Sequence, residues 1–297
     1  MKERKIVLAG GTGFIGKYFQ KRYEDMGYKV MIISRQKECI GWNQTSAILD
    51  ALENSEMLFN LAGRSVDCRY NERNKEEILK SRTETTGILG EAVLNCRNPP
   101  ALWINSSTAT IYRHSEDRPM TETDGEIGTG FSVNTALAWE KAFFDFNLPQ
   151  TRQIALRMAI VLGRDGGVMI PFKNLVLFGL GGRQGNGKQM FSWIHIADLF
   201  SIVQFLKQNS ELKGIYNCSS PNPVSNEELM MTLRKIMNVR FGLPSSRMLL
   251  EIGAFLIRTE TELILKSRWV VPERLVQEGF NFQYPKIGEA LQDILNL

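Results

Sequence analysis

The chain has 297 residues, 43% of them apolar, and 36 Lys+Arg against 32 Asp+Glu for a formal net charge of +4. That composition can bury about three quarters of the unfolded surface in one large domain or two lobes, which excludes a disordered or fibrous chain. The basic residues are scattered, with only KERK at the amino end forming a short cluster, so neither nucleic acid nor a membrane surface is expected as a partner. In chain order, KIVLA (5–9) reads as a strand, FIGKYFQKRYEDMG (14–27) as an amphipathic helix, and KVMIIS (29–34) and EMLFNLA (56–62) as strands. A long helix is predicted from about Glu72 to Asn95, then the strand ALWINSS (101–107), a helix containing FSVNTALAWEK (131–141), and a strand QIALRMAIVL (153–162). Alternation of short β-rich runs with helical patterns is the signature of βαβ units and a parallel sheet. After Gly163 the pattern loosens into GRDGG and FGLGGRQGNGK, which is turn chemistry. IYNCSS (215–220) revisits the sheet, and VSNEELMMTLRKIM (224–237) opens a helix on a Ser-x-x-Glu capping box, Ser225 to Glu228.

AGGTGFIGK (9–17) follows a predicted strand and opens a helix, the context in which a glycine pattern carries meaning. Gly10, Gly13 and Gly16 satisfy Gly-x-x-Gly-x-x-Gly, with Phe14 and Ile15 between the last two. Such a turn lets pyrophosphate rest on the helix amino terminus, so a dinucleotide is expected. The second strand ends in Ser34 and Arg35, and no acid occurs before Glu38. An acid there would hold a ribose 2′-OH, whereas a guanidinium and a hydroxyl meet a 2′-phosphate, so NADP(H) is preferred over NAD(H). Arg35 as a solvated surface arginine is the competing reading. GRQGNGKQ (182–189) has the spacing of a second phosphate loop, but Gln189 replaces the required Ser/Thr. The fold class is therefore α/β, a Rossmann-type doubly wound parallel sheet with a smaller, mainly helical C-terminal substrate lobe. The division places an NADP-binding domain at residues 1–164, revisited by about 192–220, and the lobe at 165–191 and 221–297.

GGTGFIG, NLAG (60–63), SSTATIY (106–112), LRMAIVLG (156–163) and GNGKQMFSWIHIADL (185–199) stand in order and together resemble the extended short-chain dehydrogenase/reductases. More narrowly, AGRSV, KEEILKSRTETT (75–86), FGLGG and VVPERLVQEGFNFQYPKIGEAL (270–291) are similar to the atypical "epimerase family" branch with its small C-terminal domain of unknown function. The resemblance implies NADP binding; the wider family adds a catalytic Ser/Thr and a Tyr-x-x-x-Lys pair, whose lysine lowers the tyrosine pKa, and the atypical branch is expected to lack that pair. Thr108 matches the Ser/Thr. Anchored on Glu140, the tyrosine and lysine positions fall on Ser132 and Ala136, and no Tyr-x-x-x-Lys exists anywhere in the chain. Phe191 and Ser192 stand where nucleotide-sugar enzymes carry Arg-Asp, which weakens the case for a nucleotide-sugar substrate, with Arg183 or Lys188 nearby as the alternative phosphate contact.

Thr108 either hydrogen-bonds a substrate carbonyl or is satisfied by local backbone. Tyr112, the nearest remaining phenol, either donates a proton or packs. His195 reads as a buried, satisfied histidine. Leu61, Ala62 and Gly63 are expected to border the cofactor through backbone and small side chains. Arg82 matches the branch's Ser-Arg pattern and either neutralises cofactor phosphate or lies on a solvated helix face; Glu77 is the weaker neighbour. Val161 follows from the family's backbone approach to the nicotinamide. The expected function is an NADP(H)-binding oxidoreductase or epimerase acting on an unknown small carbonyl or alcohol; the rival is a non-catalytic NADP(H)-binding sensor or scaffold. Cys39, Cys68, Cys96 and Cys218 lie far apart, which indicates no metal site or disulfide framework and suits a reducing cytoplasm. Residues 1–9 are too short for a signal peptide, and MLLEIGAFLI (248–257), interrupted by Glu251, falls short of a bilayer span. A soluble, cytoplasmic monomer or homodimer with no membrane or nucleic-acid partner is expected.

Overall fold

The computed structural model describes residues 4–245 and 266–296, so MLLEIGAFLI lies outside the described residues. Strand β1 (Lys5–Ala9) leads through helix α1 (Phe14–Asp25) to β2 (Lys29–Ile33), and α2 (Thr45–Leu52) carries the chain back to β3 (Met57–Asn60). Helix α3 (Glu72–Asn95), β4 (Leu102–Thr108), a 3-10 turn (Ala109–Ile111), α4 (Phe131–Phe144) and β5 (Arg152–Met158) follow. Next come β6 (Ile160–Leu162), α5 (Met169–Leu177), β7 (Met190–Phe191), β8 (Trp193–His195), α6 (Ile196–Gln208) and β9 (Gly214–Cys218). The remaining described elements are β10 (Val224–Ser225), α7 (Asn226–Ile236), α8 (Glu273–Gln277) and α9 (Ile287–Leu295). The central sheet runs β2-β1-β3-β4-β5-β9 with every pairing parallel. Reversal of strand order between β1 and β3 opens a crevice at their carboxyl ends, where ligands bind in such sheets.

Strand side chains alternate between two cores. Ile6, Leu8, Phe59 and Ile104 meet Phe19 and Tyr23 of α1 and Leu199 and Ile202 of α6 on one face. Val7, Leu58, Trp103 and Ala155 meet α2, α3 and α4 on the other. Phe19 stacks edge-on against Phe59 and Phe200 at 5.1 Å each, which fixes α1 over the sheet. A separate apolar cluster gathers Met169 and Val176 of α5, Leu229 and Leu233 of α7, Ile287 and Leu291 of α9, and Trp193. Among the described residues no helix is long and apolar enough to cross a membrane.

Three elements depart from expectation. QIALRMAIVL is two strands, because at Ala159 the chain changes partners: Ala159 N–H donates to Cys218 O, and the next amide, Ile160 N–H, donates to Ser192 O. Beyond that point β6 pairs with β8 outside the main sheet. Helix α5 fills a stretch where only turn chemistry was visible; Pro171 sits in its first turn, where a missing N–H costs nothing. Helix α2 has only eight residues and no side-chain cap, leaving little local signal. Ser225 caps α7 as expected, accepting from Glu228 N–H at 3.1 Å.

A buried polar chain fastens α4 to the sheet. Arg157 of β5 grips Glu140 of α4 through both carboxylate oxygens, at 2.9 and 2.8 Å, with both side chains under one tenth exposed. Burial opposes the Arg157 charge, but the Glu140 hydrogen bonds and charge more than offset it and raise its pKa. Ser107 donates to the same carboxylate at 2.6 Å, and Arg157 reaches Tyr112 OH at 2.9 Å. His195 ends β8 and caps α6, its Nδ1 accepting from Ala197 N–H and its Nε2 lying 3.2 Å from Asp293 of α9.

Glu140→Gln leaves the Arg157 charge buried without a counter-charge and should cost about 3–5 kcal/mol in urea unfolding; a loss below about 1 kcal/mol would contradict the role assigned to the pair. Burial lowers the His195 pKa from 6.5, only partly opposed by Asp293. The folded state therefore holds His195 neutral where the unfolded chain gains a proton. Its contribution is present above about pH 6.5 and is lost as pH falls below that value. Stability should drop between pH 7.5 and 5.5, and His195→Asn should flatten that slope; an unchanged slope in the variant would refute it.

Candidate functional site

The crevice is built on the glycine turn after β1. Gly10 has φ +74°, and a Cβ there would lie 2.6 Å from the Ala62 amide nitrogen, so the loops after β1 and β3 touch through backbone alone. A Cβ on Gly16 would stand 2.2 Å from Gly11 O, so glycine is what lets α1 close onto the turn. Gly13 differs: a Cβ there meets no atom within 4 Å, and its face opens into the cleft. Gly13 is also the N-cap of α1, with no side-chain cap and no acid in the first turn. The first amides of α1 therefore face the cleft with the positive end of the helix dipole behind them.

The cleft has a volume of about 490 Å³ and runs from Gly10, Gly13, Phe14, Ile15 and Gly16 past Leu61, Ala62 and Gly63 to the ends of β4 and β5 and one face of α4. Its floor is tied by amides: Asn60 donates to Asn105 Oδ1 at 2.7 Å and to Thr86 at 3.1 Å, and Trp139 donates to the same Thr86 oxygen at 3.0 Å. Among the described lining residues Arg82 alone is charged. Its guanidinium donates to the carbonyls of Arg64 and Ile78, stacks 5.1 Å from the Trp139 ring centre, and sits against Gly63. Among the described residues no carboxylate pairs with it, and burial pushes its pKa down to about 10. The Ser106 hydroxyl, also lining the cleft, has no hydrogen-bond partner among the described residues. A free helix amino terminus, a lone cation and an unsatisfied hydroxyl in one cleft fit a phosphorylated, hydroxyl-rich ligand such as a dinucleotide.

Ser34 and Arg35 follow β2, outside this cleft. Ser34 is buried, its oxygen accepting from Gln36 N–H at 3.0 Å and its own proton left to donate, while Arg35 is exposed. The next residue, Gln36, borders a second hollow of about 410 Å³ together with Thr12, Lys17 and Glu38, and neither Ser34 nor Arg35 lines it.

Thr108 lines the cleft, and its oxygen accepts from Thr110 N–H at 3.1 Å, leaving its O–H to donate to a ligand. Ser132 and Ala136 line it too, so the positions of the expected tyrosine and lysine are where the chemistry would be needed, without its groups. Tyr112 is corrected. The 3-10 turn carries it into a small core with Val133 and Met120, where it is 1% exposed and does not line the cleft. Its hydroxyl donates to Asn217 at 2.8 Å and accepts from Arg157, and burial raises its pKa, so it is no proton donor to a ligand. Glu77 is likewise displaced: it lies on an outer face of α3, paired with Arg73 at 2.9 Å and with Arg64. Val161 is drawn away by the bend at Ala159 into β6, and Met158 lines the cleft in its stead. Ser107, Tyr70, Phe131 and Trp139 also line the cleft. Trp139, one helical turn past Ala136, was recoverable from spacing; Tyr70 and Phe131 meet only through tertiary structure.

A family model described as the NAD dependent epimerase/dehydratase family matches residues 6–143, and one described as a domain of unknown function (DUF1731) matches residues 247–294. The epimerase family protein SDR39U1 of Homo sapiens is 31% identical over 302 residues, covering 98% of this chain and 99% of that protein. YfhF of Bacillus subtilis, also an epimerase family protein, is 28% identical over 98% of this chain and 97% of its own length. The crystal structure of human SDR39U1 with NADPH is similar with a TM-score of 0.88 at 29% identity, covering 98% of this chain and 99% of that one. With a parallel Rossmann sheet, the glycine turn and these full-length likenesses, the chain belongs to the NAD-dependent epimerase/dehydratase family, in its group of extended short-chain dehydrogenase/reductase-like epimerase family proteins.

Proposed function

We propose that this chain binds NADP(H) and acts as an oxidoreductase or epimerase on a small carbonyl or alcohol. The observation that carries this is Arg82, a cation without a carboxylate partner in a cleft whose described lining holds no other charge. An unpaired, partly desolvated charge is costly, and an anionic ligand removes that cost. Helix α1 supports the pyrophosphate through its first amides, and Ser106 offers a hydroxyl to a ribose or amide. Ser34 and Arg35, with no acid before Glu38, favour the 2′-phosphate of NADP(H). The NADPH in the human SDR39U1 structure supports the same preference.

When bound, the nicotinamide supplies hydride chemistry. Thr108 would donate a hydrogen bond to the reacting oxygen and hold it in place. Ser107 cannot serve as the free donor, since its proton is committed to Glu140 at 2.6 Å. Ser132 and Ala136 leave room for water, which takes over the proton traffic that a lysine-activated phenol would otherwise carry. That same absence favours the second possibility, an NADP(H)-binding sensor or scaffold without turnover.

Fluorescence titration with NADPH and NADH checks the nucleotide half. NADPH should bind more tightly, and Arg35→Ala should weaken NADPH about ten- to hundredfold while barely changing NADH, as expected for a charge-assisted contact. Gly13→Val projects into open cleft space and should abolish binding without lowering the unfolding midpoint, whereas Gly16→Ala should lower the midpoint. Equal affinities untouched by Arg35→Ala would contradict the preference. A carbonyl panel then separates the two possibilities: substrate-dependent NADPH oxidation favours the enzyme, and tight binding with a redox-dependent change of shape but no turnover favours the sensor.

A further inference from the structure

Beyond the nucleotide turn the cleft changes character. Val66, Tyr70, Phe131 and Met158 are apolar or aromatic, Ile78 and Trp139 hold Arg82, and the remaining polar groups of the described lining are hydroxyls. Tyr70 and Phe131 meet edge to face with ring centres 5.0 Å apart, giving this end an aromatic side. A sugar is usually read by carboxylates and amides that grip neighbouring hydroxyls, and a nucleotide diphosphate by several cations. The described lining has no carboxylate or amide side chain, and its single guanidinium lies against Gly63, beside the nucleotide turn. What such a wall selects is a flat, largely apolar molecule with one or two hydrogen-bond acceptors.

The missing acid points the same way. An aliphatic alkoxide is about as basic as hydroxide, so its parent alcohol holds its proton far above the physiological range. Making one demands a positioned acid. A phenolate, with a pKa of about 10, survives in water and needs only a hydrogen bond. Thr108 offers that bond, and Ser132 and Ala136 provide no stronger acid.

Resting on the cofactor proposal above, we infer that the outer half of the cleft is a site for planar conjugated carbonyl compounds of the quinone class, seated against Tyr70 and Phe131 with one oxygen at Thr108. Quinone reduction takes two electrons and two protons: one proton arrives with the electron pair as the hydride of a reduced nicotinamide, the other comes from water, and the hydroquinone results.

Binding is measured where no reduction can occur, by calorimetric titration of the full-length chain saturated with NADP⁺. Duroquinone is the probe, because its four methyl groups block addition of cysteine thiols, and UDP-glucose is the competitor class. Duroquinone should bind, UDP-glucose should not, and Phe131→Ala should weaken duroquinone about tenfold. Tyr70→Ala, judged by the same loss, stands in if the first variant fails to fold. Binding of UDP-glucose without duroquinone, or duroquinone affinity unchanged in both folded variants, overturns the assignment while NADP⁺ binding stands. Failure to take up NADP⁺ at all overturns the cofactor proposal and this one with it.

Discussion

The backbone of Gly16 lies against that of Gly11, closer than any Cβ allows, and Gly10 lies as close to Ala62. This contact sets where α1 begins, and the start of α1 decides what its free amides face. Had Gly16 carried a side chain, the helix would stand off from the turn, and a side chain at Gly10 would push the loops after β1 and β3 apart at the crevice. Phe19 and Tyr23 then lock the helix over the sheet through Phe59 and Phe200. A steric limit at a few atoms is thereby turned into a fixed anion-facing pole at one end of a rigid cleft.

The opposite wall is held by electrostatics. Arg157 and Glu140 join β5 to α4 in the interior, and Ser107 hangs from the same carboxylate. A buried ion pair contributes little net stability over an apolar equivalent, so its value here is geometric: it sets the height of α4 against the sheet. On that helix Ser132 and Ala136 face the cleft where an acid–base pair would be expected. Scaffold and cleft are kept while the proton-handling groups are gone. The balance of charge therefore rests on Arg82, which reaches the cleft from α3.

Legibility in the sequence follows from how local the determinant is. Helix α3 is readable over Glu72–Asn95 because its apolar spacing is its own and Asn71 caps it. The glycine turn is readable because steric need falls on residues within one short segment. The places of Ser132 and Ala136 follow from a constant spacing to Glu140 along one helix. Arg82 stays ambiguous in sequence, since whether its face is solvated depends on Gly63 and Trp139 from two other elements. Tyr112, Glu77 and Val161 fail for one reason: a 3-10 turn, a neighbouring Arg64 and a change of strand partner at Ala159 each redirect a side chain by tertiary contacts. The break between β5 and β6 is invisible because QIALRMAIVL is apolar on both sides of it.

Arg82 is a cation without a carboxylate partner among the described residues, in a cleft whose described lining has no acid–base pair. A crystal structure of the chain soaked with NADP⁺ tests its proposed role toward the cofactor most directly, through the distance from the Arg82 guanidinium to the nearest cofactor oxygen. A separation within hydrogen-bonding reach, about 2.7–3.2 Å, with the nicotinamide end beside Ser132 and Ala136, is the expected result. A cofactor bound elsewhere, or Arg82 still stacked on Trp139 with no cofactor oxygen in reach, would contradict it.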